Sequence, residues 1–140
     1  MDAFSGDILS YKISRSPTLD IAIDPLKVLI EQRPALEYRM TVHSDQGWHY
    51  QHKKWVKYLK KNKTFQSMYR KDNCLDNSPM ENFFGLLKQE MFYGQQFLTY
   101  TELESVNHQY IDFYNNDRIK AKLKGMSPVI YRGHTFNKIV

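Results

Sequence analysis

The sequence predicts an α/β domain in which helices pack against a sheet. Short segments with the composition of strands alternate with longer segments whose apolar residues recur at helical spacing. Hydrophobic residues make up 41% of the chain and aromatic residues 14%, which is enough for a core and argues against disorder. The length of 140 residues fits one compact domain, so we expect residues 1–140 to form a single domain.

The first part of the chain predicts a strand followed by a helix. Residues 7–15 ("DILSYKISR") alternate between apolar and polar side chains, which indicates a strand. The "SGD" that overlaps its start predicts a tight turn, and residues 1–4 are expected to end a preceding strand. The helix should begin at "SPT" and be kinked or interrupted by Pro25. Its expected buried face consists of Leu19, Ile23, Leu26 and Ile30.

The middle of the chain continues the alternation. Residues 38–44 ("YRMTVHS") predict a short buried strand, and residues 64–68 ("TFQSM") predict another. Between them, a helix is expected over about residues 51–61. Its buried stripe would consist of Trp55, Val56 and Leu59. Residues 69–77 are expected to form a polar loop.

The strongest helix start in the sequence is at Ser78. Ser78 is predicted to be the N-cap and Pro79 the first helical residue, with the helix ending near Tyr93. Glu81, at the third helical position, is predicted to pair with Ser78 in a capping box. The residues expected to face the core are Met80, Phe84, Leu87 and Met91.

A last long helix is predicted from about Thr101. The residues expected on its core face are Leu103, Val106, Tyr110 and Phe113. The tail, residues 121–132 ("AKLKGMSPVIYR"), predicts a loop and a short final turn.

The charge distribution favours a polyanionic partner. The formal net charge is +5, and residues 52–63 ("HKKWVKYLKKNK") alone contain six lysines. Further basic residues lie in 69–71 and 118–124. A solvated helix face remains an alternative reading of the first cluster. No apolar run approaches the ~20 residues of a membrane helix, and no secretory signal pattern is present. The single cysteine cannot form an internal disulfide, so we expect a cytoplasmic protein.

Two carboxylates are candidates for chemistry. Asp45 directly follows a predicted strand, and in α/β folds functional groups gather beyond the strand ends. Glu81 lies in the first turn of a predicted helix, and Lys88 follows it by about two turns, on the same face. Asn77 lies near the same line. Asp45 could equally be a turn residue, and Glu81 could serve only the capping box.

Three segments of the sequence resemble a known protein family. Residues 43–50 ("HSDQGWHY"), 70–90 ("RKDNCLDNSPMENFFGLLKQE") and 110–132 ("YIDFYNNDRIKAKLKGMSPVIYR") are similar to the catalytic core of bacterial insertion-sequence transposases of the OrfB type. This resemblance implies a ribonuclease-H-like integrase core that cleaves and transfers DNA strands at transposon ends. It also implies three carboxylates that hold two Mg²⁺ or Mn²⁺ ions.

The resemblance assigns roles to individual residues. It makes Asp45 the second carboxylate and Glu81 the third, and it places Lys88 near the scissile phosphate. The other residues that we expect at the DNA are Asn77, His43, Arg70 and Lys71. Such a site suits phosphodiester displacement, because two cations about 3.5–4 Å apart activate the nucleophile and stabilise the leaving oxygen. Hard cations also prefer oxygen ligands.

The resemblance also implies partners and a location. The partners are DNA at transposon ends and target sites, together with a second copy or a full-length transposase, and no membrane. We expect the protein to be cytoplasmic and associated with the bacterial nucleoid. Tyr114, Asn115 and Arg118 match the family's C-terminal motif, where they either position DNA or hold the last helix to the core. The second role is favoured.

The sequence departs from the family at the first catalytic aspartate. None of Asp2, Asp7 and Asp20 matches it. We therefore expect a core that is incomplete at its N-terminus and lacks the first strand. We also expect it to be impaired in strand transfer. The alternatives are a non-catalytic fragment that binds DNA or inhibits full-length transposase, and a decaying gene product without a role.

Overall fold

The computed structural model describes residues 1–35, 38–68, 78–94, 96 and 99–136. The chain divides into two compact units. Ser10–Ser78 is called the central unit here, and Met1–Leu9 with Pro79–Val140 is called the terminal unit. Each contains its own hydrophobic cluster, and each is described by itself.

The central unit has the predicted α/β order. It contains helix α1 (Asp20–Glu31), strand β1 (Thr41–Ser44), the short helix α2 (Trp48–Gln51), helix α3 (Lys53–Lys61) and strand β2 (Phe65–Met68). The two strands are parallel, and Thr41 lies opposite Phe65. Parallel neighbours need a crossover connection, which α2 and α3 provide.

The core of the central unit confirms most of the predicted helix faces. Ile23, Leu26 and Ile30 of α1 are buried against Trp55 and Leu59 of α3. Pro25 was predicted to kink or interrupt α1. The interruption is wrong, because α1 is continuous through Pro25, and the kink stays a prediction. A proline removes one intrahelical hydrogen bond, and the burial of Leu26 next to it offsets that loss.

Strand β1 is shorter and more exposed than predicted. It covers only Thr41–Ser44, and Thr41 and His43 are exposed. Because side chains alternate along a strand, Val42 packs against the central cluster while its two neighbours face away from it.

The helix expected over residues 51–61 is divided at His52. The backbone of His52 is extended, and its Nδ1 accepts a hydrogen bond of 3.2 Å from the Lys54 N–H. His52 therefore ends α2 and caps α3.

Helices make up most of the part of the terminal unit that the structure describes. It contains α4 (Ser78–Leu87), a π-helical turn (Lys88–Phe92), α5 (Tyr100–Asn116), a 3₁₀ turn (Ala121–Leu123) and α6 (Pro128–Phe136). Its buried cluster consists of Ile8, Phe83, Met91, Tyr110, Ile111 and Tyr114. The helix predicted from Ser78 to about Tyr93 is confirmed in extent, with its last turn widened.

Two residues that were predicted to face the core are exposed, and in each case an adjacent residue is buried instead. Phe84 is 50% exposed and Phe113 is 45% exposed, whereas their neighbours Phe83 (4%) and Tyr114 (2%) are buried. Beyond α4 the π turn changes the rotation between residues, so a constant spacing of 3.6 does not describe the whole helix. In α5 the buried face contains Tyr110 and Tyr114, which are four residues apart.

The strand predicted over residues 7–15 is absent from the described residues. The N–H of Ile8 donates to Asn115 Oδ1 at 2.9 Å, and the C=O of Ile8 accepts from Asn115 Nδ2 at 3.0 Å. A side-chain amide therefore pairs the backbone where a neighbouring strand was expected. The tight turn before it is confirmed, with Gly6 at φ +76°, but residues 1–4 contain no strand, and Ala3, Phe4 and Ser5 lie in that turn.

The tail contains a helix that the sequence analysis missed. Helix α6 has nine residues, where a single short turn was expected. Ser127-Pro128 repeats the Ser-Pro pair that begins α4, and proline is favoured at the first helical position. That pair was the available signal.

Candidate functional site

Asp45 lies where the sequence predicted it, directly after strand β1. It is exposed, and its Oδ1 accepts a 2.7 Å hydrogen bond from the Gly47 N–H. A Cβ at position 47 would lie only 2.8 Å from that oxygen, so glycine is what permits this close turn. The turn-residue role is therefore present, and it leaves the carboxylate open to solvent.

The turn that carries Asp45 is anchored by Tyr50. The ring of Tyr50 packs edge-on against buried Trp55, with ring centroids 5.0 Å apart. The backbone C=O of Tyr50 accepts a 2.7 Å hydrogen bond from Gln66 Nε2. Burial, and then the negative charge of Asp45, raise the pKa of the Tyr50 hydroxyl. Asp45 is thus a charged group close to a rigid part of the central unit.

The histidines near Asp45 have different surroundings. His43 is exposed on β1, in register with Ser67. His49 Nε2 lies 3.0 Å from the Pro17 carbonyl, and His52 caps α3. One ring nitrogen of His49 and one of His52 are thus engaged with the protein's own backbone.

Glu81 and Lys88 lie on the α4 segment of the terminal unit. Glu81 is in the first turn of α4, and Lys88 begins the π turn, where its C=O accepts from the Tyr93 N–H at 2.9 Å. Both side chains are exposed. Lys88 follows Glu81 by seven positions, about two helical turns, which puts them on one face.

The candidate residues are distributed over both units. His43 and Asp45 belong to the central unit, and Glu81 and Lys88 belong to the terminal unit. Asn77, Arg70 and Lys71 lie outside the described residues, as does the single cysteine, Cys74.

The terminal unit contains a charged cluster around Glu90 that the sequence analysis did not predict. Arg118 donates to both Glu90 carboxylate oxygens, with Nη2 at 2.6 Å from Oε1 and Nε at 2.9 Å from Oε2, and the Tyr110 hydroxyl donates at 2.9 Å. The Arg118 hydrogen bonds hold the pKa of Glu90 below its ordinary range. Burial, and then the hydrogen bond to Glu90, raise the pKa of Tyr110. Glu90 is the last residue of the segment 70–90 that carries the family resemblance, but no role was predicted for it.

The C-terminal motif residues have structural partners. Arg118 holds the π turn through Glu90, and Asn115 holds the backbone of Ile8. Tyr114 is buried, and Lys120 Nζ lies 4.0 Å from its ring centroid. These contacts agree with the favoured role of holding the helix to the core.

The side chains of Asp45 and Glu81 have the donor chemistry of a Mg²⁺ or Mn²⁺ site, since both offer exposed carboxylate oxygens. Within the described ranges, no three or more His, Cys, Asp or Glu side chains cluster closely enough to hold a metal ion. Magnesium dehydrates reluctantly, so one or two carboxylates alone would bind it weakly.

Comparison with known sequences identifies the family. Models of the integrase core domain match residues 1–74 and residues 81–136. The chain belongs to the integrase core family. Asp45 falls within the first matched range, and Glu81 and Lys88 fall within the second.

The relatives of this integrase core include proteins that are named for insertion-sequence transposases. A transposase-like protein of Haemophilus influenzae is 43% identical over 136 residues, which cover 97% of this chain and 62% of the relative. A protein named as the transposase InsK of insertion sequence element IS150, from Escherichia coli, is 39% identical over 97% of this chain and 48% of the relative. The transposase InsF of insertion sequence IS3A, also from E. coli, is 29% identical over 91% of this chain and 44% of the relative. The chain thus spans less than two thirds of each of them.

In the part of the chain that the structure describes, no helix has both the length and the apolar character needed to cross a bilayer.

Proposed function

We propose that this integrase core serves DNA transposition, by metal-dependent cleavage of DNA at insertion-sequence ends and transfer of the cut strand. In this proposal the fold is ribonuclease-H-like, and Asp45 and Glu81 are two of the carboxylates that hold Mg²⁺ or Mn²⁺. The observation that carries the proposal is the position of Asp45, an exposed carboxylate that directly follows a parallel strand in a chain of this family.

The other residues would bind the DNA substrate. Lys88 would place an ammonium group near the reacting phosphate, and His43 would lie beside the carboxylates. The remaining expected DNA contacts are Asn77, Arg70 and Lys71. The protein partners in this proposal are a second copy or a full-length transposase, on the nucleoid of the bacterial cytoplasm.

When bound, the ions would activate the attacking oxygen and stabilise the leaving oxygen. The chain's own contribution is to supply oxygen ligands and negative charge from rigid positions, the end of a strand and the first turn of a helix. No residue of this sequence matches the remaining carboxylate of the family. We therefore expect weak ion binding and impaired strand transfer from this chain alone.

The test replaces each carboxylate by its amide. Asp45→Asn keeps an oxygen that can accept from Gly47 N–H, and Glu81→Gln keeps a residue suited to the capping box. Both changes therefore preserve the structural roles and remove only the charge. We expect each to weaken Mn²⁺ binding, measured by isothermal titration calorimetry, by tenfold or more, with an unchanged melting temperature.

Asp20→Asn is the matched control, because Asp20 is also an exposed acid in the first turn of a helix. It should leave Mn²⁺ binding unchanged. If Asp45→Asn and Glu81→Gln bind Mn²⁺ as the unchanged protein does, the two carboxylates have only structural roles and the proposed site is wrong.

A second candidate function is non-catalytic DNA binding, or inhibition of a full-length transposase. The observation that favours it is the exposed row of lysines on α3. DNA binding that weakens with salt, without metal-dependent cleavage, would distinguish it from the first.

A further inference from the structure

Helix α3 presents a continuous basic surface, here called the lysine surface. Five of its nine residues are lysines, all exposed, and a sixth lysine follows the helix. They are Lys53, Lys54, Lys57, Lys60, Lys61 and Lys63. At 3.6 residues per turn, the five within the helix occupy an arc of about 120° and a length of about 12 Å. The opposite side holds Trp55 and Leu59, which are 3% and 1% exposed.

The lysine surface has no acidic partner within the described residues. Lys12 and Lys27 both form ion pairs with Asp24, and Arg118 pairs with Glu90. None of the ion pairs among the described residues includes a lysine of α3 or Lys63. A helix face that serves only solubility commonly mixes charges of both signs, and this one does not.

The order of charges along α3 opposes helix stability. Lys53 and Lys54 are its first two residues, and cations there are unfavourable next to the positive end of the helix dipole. Lys57 is four residues from both Lys53 and Lys61, and like charges at that spacing repel. Only Lys60 and Lys61, in the last turn, suit the dipole. An anion that neutralises the surface would relieve both conflicts.

We propose that the lysine surface binds the phosphate backbone of duplex DNA. Duplex DNA carries one negative charge per ~1.7 Å of its axis, so a basic row about 12 Å long can meet several phosphates at once. Lysine ammonium groups act as point charges for phosphate oxygens, and contacts to phosphate carry no sequence information. The contact therefore positions DNA without selecting its sequence. The inference rests on the proposed function only in taking DNA as the partner, and it does not require the metal site.

The test measures how DNA affinity depends on salt. A short fluorescent duplex is titrated with the 140-residue chain in EDTA, by fluorescence anisotropy, at several salt concentrations. Each phosphate contact adds about 0.9 to the magnitude of the slope of log K against log salt. The triple variant Lys53→Gln, Lys57→Gln, Lys60→Gln is expected to lower that magnitude by about two to three. The variant with arginine at the same three positions should keep it.

The matched control removes three lysines elsewhere, Lys27→Gln, Lys122→Gln and Lys124→Gln, and should change the slope much less. Circular dichroism checks that α3 still forms in the variants. We expect that it does, because glutamine is a good helix former. An unchanged slope in the α3 variant, or an equal loss in the control, overturns the proposal. So does binding to phosphatidylserine vesicles in place of DNA.

The outcomes separate this inference from the metal site. The salt slope is measured in EDTA and so does not depend on a bound ion, and the α3 variant should keep the Mn²⁺ affinity of the unchanged protein. A failure of one proposal therefore leaves the other standing.

Discussion

At the scale of single residues, Asn115 shows how one side chain can take the place of a strand. Its amide makes both a donor and an acceptor bond to the backbone of Ile8, more than one hundred positions earlier in the chain. Ile8 is 9% exposed, so water is a poor substitute for these bonds. The sequence predicted Asn115 as a motif residue that holds a helix in place, and the contact explains how.

Asn115→Ala should lower the free energy of unfolding by about 2–4 kcal/mol, because it leaves two backbone groups of Ile8 unpaired. Urea denaturation followed by circular dichroism measures the change. Asn116→Ala is the control, since Asn116 is exposed and, among the residues that the structure describes, its side chain bonds only to Asp112. Equal midpoints for the two variants would show that the pairing with Ile8 does not stabilise the fold.

Glu90 should make stability depend on pH. Its pKa is lowered in the folded state, chiefly by the hydrogen bonds from Arg118. A lowered carboxylate pKa contributes stability above the ordinary value of about 4.3 and loses it as pH falls through the lowered pKa. Glu90→Gln should therefore be less stable than the unchanged protein near neutral pH, and the difference should shrink below about pH 4.

The measurement is urea denaturation at a series of pH values from about 7 to 3. Glu31→Gln removes the same charge from an exposed position that has no ion pair within the described residues. It corrects for the general effect of charge. If the difference in free energy of unfolding between Glu90→Gln and the unchanged protein stays constant across this pH range, the pKa of Glu90 is not lowered by folding.

At the scale of elements, the α4 segment shows the limit of counting by 3.6. The sequence predicted the helix and its approximate ends, because the Ser-Pro start and the apolar repeat are local signals. It did not predict which phenylalanine is buried, since no local pattern marked the π turn that follows. Eight residues of uninterrupted α-helix would turn Phe83 and Met91 about 80° apart, yet both are buried in one cluster.

Phe83→Ala should lower the free energy of unfolding by about 3–5 kcal/mol, because it opens a cavity in the cluster of the terminal unit. Phe84→Ala is the matched control on the next residue, half exposed, and should cost much less. Thermal unfolding followed by circular dichroism compares the two. The reverse order would mean that the predicted face, with Phe84 inward, was right.

At the scale of the whole molecule, the sequence predicted elements better than their arrangement. Asp45 after a strand and Glu81 in a first helical turn were predictable, because a strand end and a helix start are local features. Asn115 with Ile8 and Glu90 with Arg118 were not, since each joins distant parts of the chain through a side-chain geometry that no spacing encodes. The sequence likewise shows where lysines cluster, but the structure was needed to show that all five lysines of α3 are exposed.

The turn at Gly47 has a consequence for how Asp45 could coordinate a cation. One of its carboxylate oxygens is already held by a backbone N–H at 2.7 Å, and no described residue bonds the other. An ion could therefore take the free oxygen in a monodentate manner and leave the turn intact. A bidentate ligand at this position would also have to use the second lone pair of Oδ1, the oxygen that already accepts from the Gly47 N–H.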